Sequence, residues 1–454
     1  MKNFIDEEKI ENILSKGYSK EEVLEAIQKA KALKGLSLEE VGALLLCEEK
    51  DLIANIYSTA NEVKEAIYGK RLVLFAPLYL SNICVNDCKY CGFATSNTKL
   101  KRKRLTLKEI KKEVEALELE GHKRVLIVAG EDPVLDLYFL KEVIDCIYSV
   151  KKNGDIRRIN VNVASLDVEG FKKIKSYGIG TYQSFQETYH RKTYEKVHQG
   201  PKVDFENKLY VMDRAMEAGV DDVGIGVLFG LYEHKFEVLA LLMHILHLEE
   251  KFKVGPHTIS VPRIENVYGN EFVKDLKYEV KDEDFKKIVA ILRLAVPYTG
   301  IILSTREDAE LREELFKLGI SQISAGSKTT PGAYTAKDDA SQFCLGDNRS
   351  NLEVIKSVSK KGYYPSFCTA CYRLGRTGKD FMDLAKPGLI QKYCLANAIL
   401  TYKEYVLDYG DEELKEVYRD LVAKEIESIT DEKFKLEVVN KLKRIEKGER
   451  DLYF

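Results

Sequence analysis

The sequence has no tryptophan, an absence that biases composition without pointing to a function. It has no apolar run long enough to cross a membrane, so no helical membrane anchor is expected. The stretch Met1-Lys2-Asn3-Phe4-Ile5-Asp6-Glu7-Glu8 lacks the charged-then-apolar layout of a signal peptide. There is no excess of either charge. Lys and Arg number 71 against 73 Asp and Glu, a net charge of -2, which calls for neither a nucleic acid nor a membrane surface as partner. No low-complexity segment or long repeat is evident. Histidine is missing from everything after residue 257, and that absence bears on a cysteine group described below. What remains is ordinary. A chain of 454 residues, 45% hydrophobic and 32% charged, reads as a soluble cytoplasmic enzyme with one large α/β domain and additions. In such a reducing setting, clustered cysteines read as metal ligands rather than disulfides.

Three of the nine cysteines, Cys84, Cys88 and Cys91, fall within eight residues as C-x3-C-x2-C. Thiolates at this spacing can take three corners of one iron–sulfur cube and leave the fourth iron open to a small molecule, unlike the closed clusters of electron carriers. Zinc is the alternative, but structural zinc wants four ligands, and no fourth Cys or His lies within thirty residues. A second group follows at Cys368, Cys371 and Cys394, spaced C-x2-C-x22-C, with no histidine nearby. Either Cys344 closes this site as a zinc or cluster centre, or it is a second cluster with an open iron. Arg373 and Arg376 are placed to offset the negative charge of thiolate-bound metal. Cys47 and Cys146 lie in amphipathic stretches and read as core.

The first 71 residues read as a helical extension, with capping boxes at Ser19/Glu22 and Ser37/Glu40. From residue 72 short apolar runs alternate with amphipathic helices. Strands are expected over Leu72–Leu80, Arg124–Ala129, Ile159–Ala164, Thr181–Gln186, Val223–Phe229, Thr258–Pro262, Ile301–Ser304 and Gln322–Ala325. Helices are expected over 107–119, 137–150, 206–218, 232–250, 282–296 and 308–318. Eight units across residues 72–328 match a (β/α)8 TIM-type barrel, with a doubly wound open sheet as the alternative. Residues 329–454 form a helical C-terminal domain that carries the second cysteine group.

Barrel chemistry sits where strands end. Gly130-Glu131 follows strand two, where a carboxylate beside a glycine can accept from a ligand ammonium; a surface turn is the alternative. Gln186 and Glu187 end strand four. Ser304 and Arg306 share one face of strand seven and can clamp a carboxylate, or form a structural salt bridge. His257 precedes strand six, at the end away from the first triad, where it is either structural or a ligand near the second. The basic run Lys99–Arg104 reads as a solvated loop.

The triad at the end of a first strand resembles the radical S-adenosylmethionine (SAM) superfamily. The resemblance narrows on Leu78-Tyr79-Leu80-Ser81-Asn82, Gly255-Pro256-His257-Thr258-Ile259-Ser260-Val261-Pro262-Arg263, Ser304-Thr305-Arg306-Glu307 and Cys368-Thr369-Ala370-Cys371-Tyr372-Arg373. These look like the radical SAM tyrosine lyases that mature [FeFe]-hydrogenase. Thiamine-pathway tyrosine lyases share the barrel but lack the second cysteine group. The resemblance implies a [4Fe–4S] cluster on Cys84, Cys88 and Cys91 that chelates SAM. Gly130, Glu131, Gln186 and Glu187 would contact SAM, and Ser304 and Arg306 the carboxylate of L-tyrosine. It implies Cα–Cβ cleavage to p-cresol and dehydroglycine, then carbon monoxide and cyanide collected as an Fe(CO)(CN) unit. A second [4Fe–4S] cluster on Cys368, Cys371 and Cys394 would carry an extra iron, with His257 and free L-cysteine as its ligands. Implied partners are a ferredoxin or flavodoxin as electron donor and the other hydrogenase maturases. The chain departs from the pattern at Ala129, at Ile264-Glu265-Asn266 and at Lys328-Thr329-Thr330-Pro331. Rival readings are a 2-iminoacetate synthase of thiazole assembly and a non-catalytic iron–sulfur scaffold or carrier.

Overall fold

The computed structural model describes residues 3–267, 269, 271–336 and 341–454, with residue 275 described in its backbone alone. Eight parallel strands close into a barrel: β1 Arg71–Ser81, β2 Arg124–Ala129, β3 Arg158–Asn162, β4 Thr181–Gln183, β5 Asp222–Gly226, β6 Thr258–Ser260, β7 Gly300–Leu303 and β8 Gln322–Ser324. Closure comes from β1, which pairs with β2 from Ala76 onward and with β8 at Val73, Leu74 and Phe75. An open sheet is thereby excluded. Apolar residues on the outer face of each strand meet the buried faces of the surrounding helices, and this interface is the main core.

Strand β1 is 11 residues long because it serves three partners. Its first residues pair in parallel with a ninth strand, β9 Tyr364–Ser366, in the register Arg71↔Tyr364 and Val73↔Ser366. β9 belongs to the C-terminal segment and was not expected from periodicity. It is too short to show a repeat, and it delivers Cys368 to the barrel end where β1 begins.

Several strands are shorter than expected at their C-terminal ends. Beyond β4 and β5 the chains stay paired after a one-residue register shift, through Gln186 N–H to Gly226 O at 3.0 Å, Leu228 N–H to Glu187 O at 2.9 Å and the Glu187/Val227 bridge. The helix expected over 206–218 is two helices, Phe205–Leu209 and Val211–Glu217. Tyr210 leaves the helical region (φ -92°, ψ 14°), and its ring meets Phe4 edge-on at 5.4 Å. Helices at Val168–Ser176 and Arg191–Val197 complete the outer layer.

Before β1 come helices Glu7–Leu14, Lys20–Ala30, Leu38–Leu46 and Lys50–Tyr68. Both expected capping boxes form, each with reciprocal side-chain and backbone bonds. The helix Lys50–Tyr68 packs on the barrel helix Asp282–Ala295 and ends with Tyr68 beneath the barrel. After β9, the helix Gln391–Tyr409 carries Cys394 and packs on β9, and helices Glu412–Ser428 and Glu432–Glu446 cover it. Among the described residues, no helix is long and apolar enough to cross a membrane.

Candidate functional site

At the C-terminal ends of the strands lies a cavity of about 210 Å³. Period-two alternation sets its wall: Phe75, Pro77 and Tyr79 of β1 face inward, as do Leu126 and Val128 of β2. Cys84, Cys88 and Cys91 line one side, on the loop that leaves β1. The loop folds back on itself through Cys91 N–H to Cys88 O at 3.0 Å. Its amides also point at sulfur, with Asn86 N and Phe93 N each 3.4 Å from Cys84 Sγ and Cys91 Sγ respectively. Burial pushes the Cys88 thiol up to about 12 and raises Cys91, so these groups are poor thiolates until metal replaces the proton. Sheltered sulfurs with amide donors suit an iron–sulfur cluster. Among the described residues no three side chains converge as ligands on a single ion, and a cube spreads its thiolates over separate irons.

Gly130 and Glu131 form the adjoining wall. A side chain at Gly130 would put its Cβ 2.3 Å from Ile83 O, so only glycine lets the two loops meet. Val85 N–H donates to Glu131 O at 3.0 Å, tying the Gly-Glu turn to the cysteine loop. Opposite stands Glu187, in a left-handed conformation (φ 70°), which accepts from Lys202 Nζ at 2.8 Å. Burial opposes the charge on both. Lys202 outweighs it for Glu187, which is held below the usual carboxylate range, and Glu187 holds Lys202 well above an ordinary lysine. Lys202 Nζ also donates to Tyr90 Oη at 3.2 Å. Lys208, in the same wall, is brought down to about 8 by burial. Ser304 and Arg306 close the far side, the Arg306 guanidinium stacked 3.5 Å over the Phe343 ring. Glu265 lines the cavity too; burial and then the neighbouring Glu307 raise its pKa.

Gln186 is a correction. It is buried but does not line the cavity, whereas Gln183, Phe185 and Glu187 do. Alternation puts Phe185 and Glu187 on the cavity face and turns Gln186 to the other. Lys202, Lys208, Tyr79, Gln342 and Phe343 were not anticipated. Tyr79 was readable from alternation with Phe75. Lys202 and Lys208 come from the short turn Pro201–Val203 and the helix Phe205–Leu209, and Gln342 and Phe343 from a loop, segments too short or irregular to carry a periodic signal.

At the opposite end a second cavity of about 50 Å³ is lined by Cys368, Cys371, Cys394, His257, Arg71 and Arg124. His257 lies 4.6 Å from the Phe381 ring, and burial lowers its pKa. Burial also pushes Cys371 up to about 12. Cys344 is not here. It is exposed, its amide bonds Asn266 O at 2.9 Å, and its neighbour Phe343 lines the first cavity, so it cannot close a site with Cys368. Of the expected arginines, Arg373 pairs with Asp451. Arg376 donates to Phe454 O at 2.5 Å, and its charge also acts on the Cys371 thiol, opposing the rise that burial causes. Arg71 and Arg124 line the cavity itself, Arg124 donating to Cys368 O at 2.6 Å. The two cavities are one side-chain layer apart. Val73, Arg124, Gly300 and Gln322 line the lower, and Phe75, Leu126, Ile302 and Ser324, each two residues on, line the upper.

Residues 78–243 match the Radical SAM superfamily model, and residues 260–364 the Biotin and Thiamin Synthesis associated domain. The 2-iminoacetate synthase of Salmonella typhimurium (strain LT2) is 30% identical over 337 residues, 73% of this chain and 86% of that protein. A crystal structure of HydG, described as a maturase of the [FeFe]-hydrogenase, superposes with a TM-score of 0.96 at 53% identity, covering 99% of this chain and 100% of that one. The chain belongs to the HydG family of radical SAM enzymes. A second HydG, from Carboxydothermus hydrogenoformans, has a TM-score of 0.85 at 42% identity over 96% of this chain and 97% of its own. Membership of the superfamily brings a [4Fe–4S] cluster and SAM as cofactors. Both family models end by residue 364, ahead of Cys368, Cys371 and Cys394, whereas the HydG-family likeness runs through them.

Proposed function

We propose that this enzyme cleaves the Cα–Cβ bond of L-tyrosine to p-cresol and dehydroglycine, and then forms carbon monoxide and cyanide for [FeFe]-hydrogenase maturation. The observation that carries this reading is the second cysteine group, with His257, at the far mouth of the barrel that holds the first. When bound, the cluster and SAM would supply the radical chemistry for a bound tyrosine. The chain does the rest. Cys84, Cys88 and Cys91 hold the cluster, and Gly130 and Glu131 receive the SAM ammonium. Arg306, its plane fixed by Phe343, and Ser304 hold the tyrosine carboxylate. Apolar walls at Phe75, Leu126 and Ile302 keep water from the reacting atoms.

At the far end Cys368, Cys371 and Cys394 would hold the auxiliary cluster, His257 and free L-cysteine would serve its extra iron, and Arg71 and Arg124, which line that cavity, would offset the thiolate charge. The single layer between the cavities gives small products a short way across. A ferredoxin or flavodoxin would supply electrons, and other hydrogenase maturases would receive the product. A second reading, 2-iminoacetate synthase, is favoured by 30% identity over 86% of that relative, but it leaves the far cysteines idle. Anaerobic reconstitution with SAM, reductant and tyrosine separates the two. p-Cresol with carbon monoxide and cyanide supports the first. p-Cresol alone supports the second, and no p-cresol removes both.

A further inference from the structure

The basic run Lys99–Arg104 is a solvated loop only in part: Lys99 and Lys101 are exposed, whereas Arg102, Lys103 and Arg104 are half-buried. It runs back along the end of β1, with Arg104 bridged to Ser81 in antiparallel fashion. Asn82 is stitched to it three times. Its amide donates to Lys103 O at 3.1 Å, its Nδ2 to Lys101 O at 2.9 Å, and its Oδ1 accepts from Lys103 N at 2.6 Å. Arg104 forks onto Asp132, two residues past Gly130, at 2.7 and 2.5 Å.

Arg102 does something different. Its Nη1 donates to Asn82 O at 2.7 Å and to Phe93 O at 2.8 Å. Its Nη2 donates to Ala94 O at 2.5 Å and to Asn97 O at 3.4 Å. Asn82 lies two residues before Cys84, and Phe93 two residues after Cys91. One guanidinium nitrogen thus joins the two ends of the cysteine loop, and its twin gathers the chain that follows. All four acceptors are backbone carbonyls.

We propose that Arg102 is the positioning residue of the cysteine loop, clasping its ends so that Cys84 and Cys91 are held for the cluster before iron arrives. The route to sulfur is short. Fixing the Phe93 carbonyl fixes the residue whose N–H points at Cys91 Sγ, 3.4 Å away. Arginine is required because its planar fork aims several donors at once from one rigid plane. Lysine keeps the charge and the reach, but its single nitrogen cannot bridge four carbonyls spread over sixteen residues, 82 to 97.

The proposal rests on Cys84, Cys88 and Cys91 being the cluster ligands, so the test begins without iron. Amide hydrogen exchange is measured on iron-free wild type, Arg102→Lys and Arg102→Ala. The expected result is at least tenfold faster exchange over residues 83–97 in both variants, with the strands Arg71–Leu80 and Gly300–Leu303 protected as in wild type. After reconstitution, the electron paramagnetic resonance signal of the reduced SAM cluster should lose its shift on adding SAM in both variants. Wild-type protection of the loop in Arg102→Lys overturns the proposal, as does an intact SAM-induced shift. Equal loss of strand protection overturns it too, by making Arg102 a residue of general stability. Should wild type itself show no SAM-responsive signal, the ligand assignment fails while the exchange result still stands or falls by itself.

Discussion

The ion pair between Glu187 and Lys202 gives a prediction that can be sized from the structure. The pair spans 2.8 Å, and its side chains are only 13% and 16% exposed. Replacing Glu187 with Gln leaves Lys202 a cation in a cavity wall facing neutral oxygens, the new amide and Tyr90 Oη, with its paired carboxylate gone. Removing one member of a buried pair costs about 3–5 kcal/mol, whereas replacing both by well-packed neutral groups is close to neutral. With unfolding entropy of roughly 2.1 cal/mol/K per residue, a 454-residue chain shifts by about 1 °C per kcal/mol. Glu187→Gln should therefore lower the melting temperature of the iron-free protein by about 3–5 °C at pH 7. The Glu187→Gln/Lys202→Met double variant should recover most of that loss. Glu187 is held below its unfolded value, so its contribution is present above about pH 4.5 and is lost as pH falls through the folded value. Lys202 is held above its unfolded value, so its share is present below about pH 10.5 and is lost as pH rises through the folded value. The effect should be flat between those limits and shrink in acid. A single variant that melts with wild type, or a double variant whose loss equals the sum of the two singles, would refute the reasoning.

Three further predictions follow the two mouths and the core. Cys371→Ala should abolish carbon monoxide and cyanide while p-cresol formation survives, measured on the same reconstituted sample; equal loss of both would contradict separate roles for the two ends. Arg306→Lys should raise the tyrosine KM about tenfold or more with a smaller effect on kcat, because a point charge replaces a planar fork stacked on Phe343. Glu237 is buried against Thr188 and Tyr189 N, and burial lifts its carboxyl to about 8. Between about pH 4.5 and 8 the folded chain then holds a proton that the unfolded chain has lost, so stability falls as pH rises. Glu237→Gln should melt with wild type near pH 5 and above it near pH 8.5.

Much of this molecule is legible without coordinates. The eight strands announce themselves because each is apolar on the face its helices cover, and β2 ends where the apolar run ends. The cysteine triad is legible because its three members are close in sequence, so spacing alone brings them to one cavity wall. Ser304 and Arg306 are legible because they stand close together just past β7, which ends at Leu303, and both line the cavity from that turn. Gln186 shows the limit. It lies at the right strand end, but alternation gives the cavity to Phe185 and Glu187, and a one-residue uncertainty in register decides which.

What the sequence alone determined is therefore local: capped helices, βα alternation, two cysteine spacings and a run of basic residues. The tertiary structure decided everything that depends on closure. Because β1 pairs with both β2 and β8, residues hundreds of positions apart share one cavity, and Gln342 meets Tyr79 at 2.7 Å. Because β9 adds to the start of β1, Cys368 reaches the far mouth with Arg71 and Arg124, while Cys344 is left at the other end. And because the chain after Phe93 turns back along β1, Arg102 meets four carbonyls instead of water. Charge type and spacing can be read from a sequence. Which side chains face one another is set by strand pairing, which brings distant segments together and leaves no periodic trace.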